Sequence, residues 1–156
     1  MQSARLFLLA VFTIFMVTSC SGICNEDFRG SSMGAPSDDT VPGAEAGKIL
    51  KDVQFPFDSS TLTPAAKSSL KTSAEWLKAN PRRTVIIEGH CDERGTVEYN
   101  LVLGEKRARA VYDYMRGLGI DAKRMSTISY GKEFPLDPAS NEAAWAKNRR
   151  AHFAVK

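Results

Sequence analysis

The sequence predicts an α+β fold in which helices pack on one face of a single mixed sheet. Three observations predict it. Short stretches with a two-residue apolar period alternate with stretches of helical period along residues 48–156. Helix-capping residues precede the helical stretches, and glycine or proline follows the two longer ones. The resulting order, β-α-β-α-β-(α)-β, is typical of a two-layer sandwich.

The first predicted strand and helix lie on either side of Pro56. In KILKDVQFPF, residues 48–57, apolar residues share one strand phase, and Pro56 ends the strand because it cannot donate a hydrogen bond. Thr63 as N-cap and Pro64 in the first turn predict a helix start, and Asn80-Pro81 ends that helix. The two apolar sets are Ile49, Val53, Phe55 and Phe57 in the strand, and Ala66, Leu70, Ala74 and Leu77 in the helix.

The second half contains the longest predicted helix, from about Glu98 to Arg116, closed by Gly117 and Gly119. Lys106 is predicted to point away from the sheet. The sheet-facing stripe is predicted to be Leu101, Gly104, Ala108, Val111 and Met115. The remaining predicted elements are strands in TVIIEGH (84–90), MSTISYG (125–131) and RAHFAVK (150–156), and a short helix capped by Asn141.

The N-terminal region has the pattern of an exported, lipidated protein. Arg5 precedes the apolar run LFLLAVFTIFMV (6–17), which has the length of a signal-peptide core. The following Val-Thr-Ser-Cys resembles a bacterial lipobox, so we expect residues 1–19 to be removed and Cys20 to be acylated. The alternative is an ordinary signal peptide. Residues 20–47 then form a Gly-, Ser- and Pro-rich flexible linker to the domain 48–156.

The composition and motifs argue against several function classes. The net charge of +3 is too small to indicate nucleic acid as a partner. His90 and Cys91 are adjacent at a strand end and tend to point to opposite sides, so they do not predict a metal site or a nucleophile with its base. No cofactor-binding motif occurs, and we expect no catalytic residue.

The stretch GHCDERGTVEYN, residues 89–100, predicts a binding loop. It begins at a strand end and leads into a helix N-terminus, whose free N–H groups favour a carboxylate. Arg107 lies on the flank of the buried stripe and leans back toward Asp92. Arg107 suits a carboxylate and Asp92 suits an ammonium, so the site fits a zwitterionic ligand. The alternative is that Arg107 pairs with a nearby carboxylate of the protein itself.

These stretches, with LVLGEKRARAV, SYGKEFP and NRRAHFAV, resemble the OmpA-like peptidoglycan-binding domains, and most closely those of peptidoglycan-associated lipoproteins. The resemblance covers residues 48–156. It implies a non-enzymatic domain that binds the stem peptide of peptidoglycan, with Asp92 and Arg107 contacting diaminopimelate. The other groove residues that it implies are Phe57, Asp58, Arg94, Thr96, Asn100 and Leu103.

The resemblance also implies a place in the cell envelope. The lipid on Cys20 would anchor the chain in the outer membrane, with the domain in the periplasm. The implied protein partner is the β-propeller protein TolB, and possible further partners are other Tol proteins, in a system serving envelope integrity and cell division. The alternative is a wall-binding lipoprotein of the same fold outside the Tol system.

Overall fold

The computed structural model describes residues 47–156, and the predicted α+β order is confirmed. Residues 1–46, which include the predicted signal peptide, Cys20 and nearly all of the linker, lie outside the described part. No helix within residues 47–156 is both long and apolar enough to cross a membrane. The elements are β1 (Val53–Gln54), α1 (Pro64–Ala79), β2 (Val85–His90), α2 (Val97–Gly117), a 3₁₀ turn (Ala122–Arg124), β3 (Met125–Gly131), α3 (Glu142–Asn148) and β4 (Arg150–Val155).

The four strands form one mixed sheet in the order β1-β4-β2-β3. Strand β2 is parallel to β3 and antiparallel to β4, and β1 is antiparallel to β4. A parallel pair needs a crossover connection, and α2 supplies the crossover between β2 and β3. The hydrophobic core joins residues of α1 and α2 to one face of the sheet; its fully buried members include Leu70, Leu77, Ile87, Val111 and Met115.

Each helix begins at the residue whose side chain caps it. The hydroxyl of Thr63 accepts from the Ala66 amide at 3.1 Å, and that of Thr96 accepts from the Tyr99 amide at 3.2 Å. These contacts satisfy amides that the helices leave without a main-chain partner. Asn141 caps α3 in the same way. The predicted stripe of α1 is buried throughout.

Helix α2 touches the sheet at two glycines. A Cβ atom on Gly89 would lie 1.9 Å from the carbonyl oxygen of Gly104, and one on Gly104 would lie 2.3 Å from the Ser129 hydroxyl. Only glycine permits this approach, because any side chain would push the helix outward. The contact holds the first half of α2 close to the end of β2.

Two sequence predictions are wrong in detail. The strand expected over 48–57 is only Val53–Gln54, with a helical turn at 47–49, and Phe57 is 59% exposed rather than inward-facing. Pro56 ends the ladder just after the strand, so the phase cannot continue. In α2, Leu101 is 39% exposed, whereas Asn100 is buried. Asn100 is drawn inward by hydrogen bonds from its amide to the carbonyls of Arg94 and Thr96.

The sheet face turned away from the helices carries a group of titratable side chains. His90 is buried there, stacks on Tyr130 with ring centroids 5.5 Å apart, and lies 3.8 Å from Glu88. Its ring nitrogens have no hydrogen-bond partner in the described residues. Burial first, and then the charges of Arg150 and His152, lower the pKa of His90 to about 4.

This depressed pKa predicts a loss of stability in acid. An unfolded histidine binds a proton near pH 6.5, so between that value and about 4 the unfolded chain holds more protons at His90. Stability contributed by neutral His90 is therefore lost as the pH falls through this window, by about 2–3 kcal/mol. Urea unfolding from pH 7 to 4 should show a shallower pH dependence for His90→Gln than for the wild type.

His152 is a control whose pKa shift has the opposite sign to that of His90. Its hydrogen bond to Asp52, 2.7 Å long, raises the pKa of His152, so its contribution is present in acid and is lost as the pH rises. His152→Gln should therefore remove a loss of stability above about pH 6.5 and leave most of the acid loss in place, because burial is the main cause of the lowered pKa of His90. Equal slopes for the wild type and His90→Gln would contradict the assignment.

Candidate functional site

A cavity of about 210 Å³ opens where β2 ends and α2 begins. Its size suits the head group of a ligand rather than a whole oligosaccharide. Its lining brings together seven of the eight residues predicted for the site; the eighth, Thr96, caps α2 instead and is not part of the wall. The lining residues are Phe57, Asp58, Cys91, Asp92, Arg94, Gly95, Tyr99, Asn100, Leu103 and Arg107.

Asp92 is buried in the cavity wall between two arginines. Arg94 donates from Nη2 to its Oδ2 at 2.6 Å and from the main chain to its Oδ1 at 3.2 Å. Arg149 donates from Nη1 at 3.3 Å and is also held by Glu142 at 2.8 Å. Burial opposes ionisation, but these hydrogen bonds outweigh it and lower the pKa of Asp92. Asp92 is therefore a firmly ionised carboxylate whose present partners are cations.

Arg107 is only 1% exposed and binds main-chain oxygens. Its Nε donates to Ser59 O at 2.9 Å, Nη2 to Pro56 O at 3.2 Å, and Nη1 to His90 O at 2.8 Å and to Cys91 Sγ at 3.3 Å. A guanidinium has five N–H groups, so one Nη2 proton remains without a partner in the described residues.

The sequence suggested that Arg107 either presents a fork to a ligand or pairs with a carboxylate of the protein. Its fork is turned inward onto carbonyl groups, and no carboxylate within residues 47–156 pairs with it. Burial lowers the pKa of Arg107, yet an arginine remains charged in proteins. The cavity therefore contains a buried positive charge that is solvated by carbonyl dipoles and makes no direct ion pair within residues 47–156.

Arg94 closes one side of the cavity. Its guanidinium carbon lies 4.1 Å from the ring centre of Phe57 and 4.2 Å from that of Trp145. Trp145 was not predicted for the site; it lies on α3 and donates its indole N–H to Glu93 Oε1 at 3.0 Å. An aromatic residue in a short predicted helix looks like a packing residue in the sequence, and nothing there indicates that it faces Arg94.

The rim of the cavity joins two loops. Asp58 has a φ of 49°, which is uncommon for a residue other than glycine, and it accepts a hydrogen bond from the hydroxyl of Tyr99 in α2. Sequence reasoning included Asp58 but not Tyr99. Tyr99 lies three residues after Thr96, in the first turn of α2. This helical spacing could have indicated Tyr99 in the sequence.

The wall offers little for covalent or metal chemistry. Burial raises the pKa of the Cys91 thiol to about 11, and a protonated thiol is a poor nucleophile. His90 lies on the opposite face of the sheet, where it cannot act as the base for Cys91. Within residues 47–156, no three histidine, cysteine or acidic side chains are grouped closely enough to hold a metal ion.

Comparisons with known proteins agree with this fold and place the chain in a family. The sequence profile described as the OmpA family matches residues 54–149. A peptidoglycan-associated lipoprotein of Haemophilus influenzae is 38% identical over 147 residues, covering 94% of this chain and 95% of that protein. The chain belongs to the OmpA family, among the peptidoglycan-associated lipoproteins.

Two further members of the family are similar over much of this chain. A peptidoglycan-associated lipoprotein of Brucella melitensis is 36% identical over 146 residues, covering 92% of this chain and 87% of that protein. The crystal structure of the peptidoglycan-associated lipoprotein from Burkholderia pseudomallei is 42% identical, with a TM-score of 0.66, and the match covers 68% of this chain and 90% of that chain.

In this OmpA-family domain, Arg107 is predicted to be essential for folding stability. Arg107→Ala leaves three main-chain carbonyls without their donor, and each lost hydrogen bond costs about 1 kcal/mol or more. We expect the free energy of unfolding in urea to fall by at least about 3 kcal/mol. Arg109→Ala is the matched control, because it loses only an exposed pair with Asp113 and a contact with the Tyr112 ring. That control should change stability by less than about 1 kcal/mol; a similar loss in both variants would contradict the prediction.

Proposed function

We propose that this chain is an outer-membrane lipoprotein whose domain binds the peptide stem of peptidoglycan without covalent chemistry. The observation that carries the proposal is the charge arrangement of the cavity. Arg107 is a buried cation that no carboxylate of the described residues pairs with directly, and Asp92 is a buried anion in the same wall. A ligand that brings one carboxylate and one ammonium complements both charges.

Diaminopimelate in the stem peptide is a residue of this kind. At its free end, an ammonium and a carboxylate share one carbon atom. We infer that the carboxylate approaches the remaining Nη2 proton of Arg107 and that the ammonium approaches Asp92. The partly buried Leu103 and the Phe57 ring supply apolar wall, and Asp58, Arg94 and Asn100 complete the groove, while Thr96 acts through the helix cap. The membership of the chain among peptidoglycan-associated lipoproteins supports this assignment.

The proposal includes no reaction. The thiol of Cys91 is held protonated, and Asp92 is held ionised by arginines, so neither group is prepared to act as a nucleophile or as a general acid near neutral pH. The domain would therefore act by affinity alone. A lipid on Cys20 and the linker over residues 20–47 would make that affinity a link between the outer membrane and the cell wall.

We propose further that the chain works with TolB in the Tol system, which serves envelope integrity and cell division, as the resemblance to its family implies. Its support is the family membership and the motifs shared along residues 48–156. A pull-down of the full chain with TolB distinguishes this role from that of a wall-binding lipoprotein outside the Tol system.

Binding to purified sacculi should depend on the charge of Asp92. Asp92→Asn keeps the shape of the side chain but removes the charge that the ammonium needs, so binding should weaken by roughly ten- to a hundredfold. The measurement is co-sedimentation at fixed salt, with circular dichroism to check the fold. Asp113→Asn removes the same charge from the exposed face of α2 and should bind like the wild type. An equal loss in both variants would mean that only general charge attracts the wall.

Processing of the N-terminus should leave an acylated Cys20. Each buried methylene contributes about 0.8 kcal/mol to anchoring, so two or more long chains hold a protein stably in a membrane. Mass spectrometry of the mature protein should find residues 1–19 absent and Cys20 modified, and Cys20→Ala should prevent acylation. An unmodified Cys20 at or inside the mature N-terminus would favour an ordinary signal peptide and remove the anchor from the proposal.

A further inference from the structure

We propose that Arg94 determines which head groups the cavity accepts. In the ligand-free protein, Arg94 pairs with Asp92 where the ammonium of the ligand would bind. Arg94 leaves Asp92 only when the ligand carries a carboxylate beside its ammonium. This inference rests on the proposed function and names the chemistry of its selectivity. A simple amine is the class of ligand that Arg94 excludes.

The first step concerns access to Asp92. Its carboxylate is 4% exposed and is contacted at 2.6 Å by the side chain of Arg94 and at 3.3 Å by that of Arg149. A carboxylate can accept further hydrogen bonds, but this one is buried, and Arg94 is the more exposed of its two guanidinium partners. An ammonium can reach Asp92 only after one of the two arginines leaves.

The second step identifies the arginine that leaves. The side chain of Arg149 is only 8% exposed and also donates to Phe55 O at 3.2 Å and to Glu142 at 2.8 Å. The side chain of Arg94 is 34% exposed, and its buried Nε has no acceptor in the described residues. Beyond Asp92, the contacts of Arg94 are the faces of two aromatic rings, which are weaker and less directional than hydrogen bonds.

The third step follows the displaced charge. When an ammonium takes Asp92, the guanidinium of Arg94 loses its anion. The other acidic side chains that act electrostatically on Arg94 already accept hydrogen bonds: Glu93 from the indole of Trp145 and the hydroxyl of Ser140, and Glu142 from Arg149. A ligand carboxylate that approaches Arg107 beside the ammonium also supplies Arg94 with an anion. A bare amine supplies none, so Arg94 would have to compete with these donors for Glu93 or Glu142, which makes that exchange of partners less favourable.

The test compares two tripeptides that differ in one group. One ends in meso-diaminopimelate, and the other has lysine at that position, which keeps the amine but lacks the adjacent carboxylate. Affinities for the full mature chain in detergent micelles are measured by calorimetry for the wild type and for Arg94→Gln. Arg116→Gln, which removes an equal charge from the far end of α2, is the matched control.

The wild type should prefer the diaminopimelate peptide by at least about tenfold. Arg94→Gln should reduce that preference by about three- to tenfold, mainly through tighter binding of the lysine peptide, because no ion pair or ring contact has to be broken. The control should keep the wild-type preference. In the NMR spectrum of the wild type, the indole N–H signal of Trp145 should shift when the diaminopimelate peptide is added, since the guanidinium leaves its ring.

The outcomes separate the two proposals. If neither peptide binds the wild type, the proposed function fails and the inference fails with it. If both bind and Arg94→Gln keeps the wild-type preference, Arg94 does not select ligands, although the proposed function stands. If Arg94→Gln weakens both peptides equally, Arg94 is an ordinary ligand contact, and its role as a displaceable stand-in is overturned.

Discussion

The buried guanidinium of Arg107 is the constraint on which the arrangement of the cavity depends. It connects the loop after β1, through Pro56 and Ser59, with the end of β2, through His90. Pro56 and Ser59 lie outside the strands, and at His90 the pairing of β2 with β3 shifts its register, so Arg107 supplies hydrogen bonds that a regular ladder would otherwise supply. A charge this deep is tolerated because several carbonyl dipoles converge on it, in the manner of a solvation shell.

Arg107 can reach these carbonyls only because α2 lies unusually close to the sheet. The Gly89–Gly104 contact sets that distance, one helical turn before Arg107. Two demands on the sequence are therefore coupled. Small residues bring the helix to the sheet, and the long arginine then uses the proximity to join two loops. The rigidity of this wall contrasts with Arg94, whose contacts beyond Asp92 are aromatic faces at the cavity mouth.

The elements with strong local signals could be predicted from the sequence. Thr63 and Asn141 predicted helix starts because capping depends on a side chain and an amide three residues away. Asp92 and Arg107 could be placed together because a strand end and a helix start share one edge of the sheet, and the resemblance to the OmpA-like domains implied the other five site residues that line the cavity. Phe57 was misplaced although Pro56 before it indicated the end of the ladder; the two-residue length of β1 was not predictable, because it is set by pairing with β4 rather than by its own pattern.

The contacts between residues that are distant in the sequence were the other feature that could not be predicted. Nothing local shows that Arg107 faces carbonyls rather than a carboxylate, because its acceptors lie up to 51 positions away in the sequence. The same holds for Arg94, whose second ring, Trp145, comes from another helix. Residue type indicated where charge would collect in the cavity, but the division of partners among three arginines required the three-dimensional structure.

The shortness of β1 has a mechanical consequence. Only two residue pairs join it to β4, and the loop that follows carries Phe57, Asp58 and two carbonyls that hold Arg107. A pulling force applied through the chain that precedes Val53 is resisted first by the buried Leu50 and then by these pairs. Strand pairs that separate one after another resist less force than pairs loaded together, so β1 would yield before the rest of the sheet. Tension on the N-terminal side would therefore reach the cavity wall early. One short segment would then link ligand binding to the applied force.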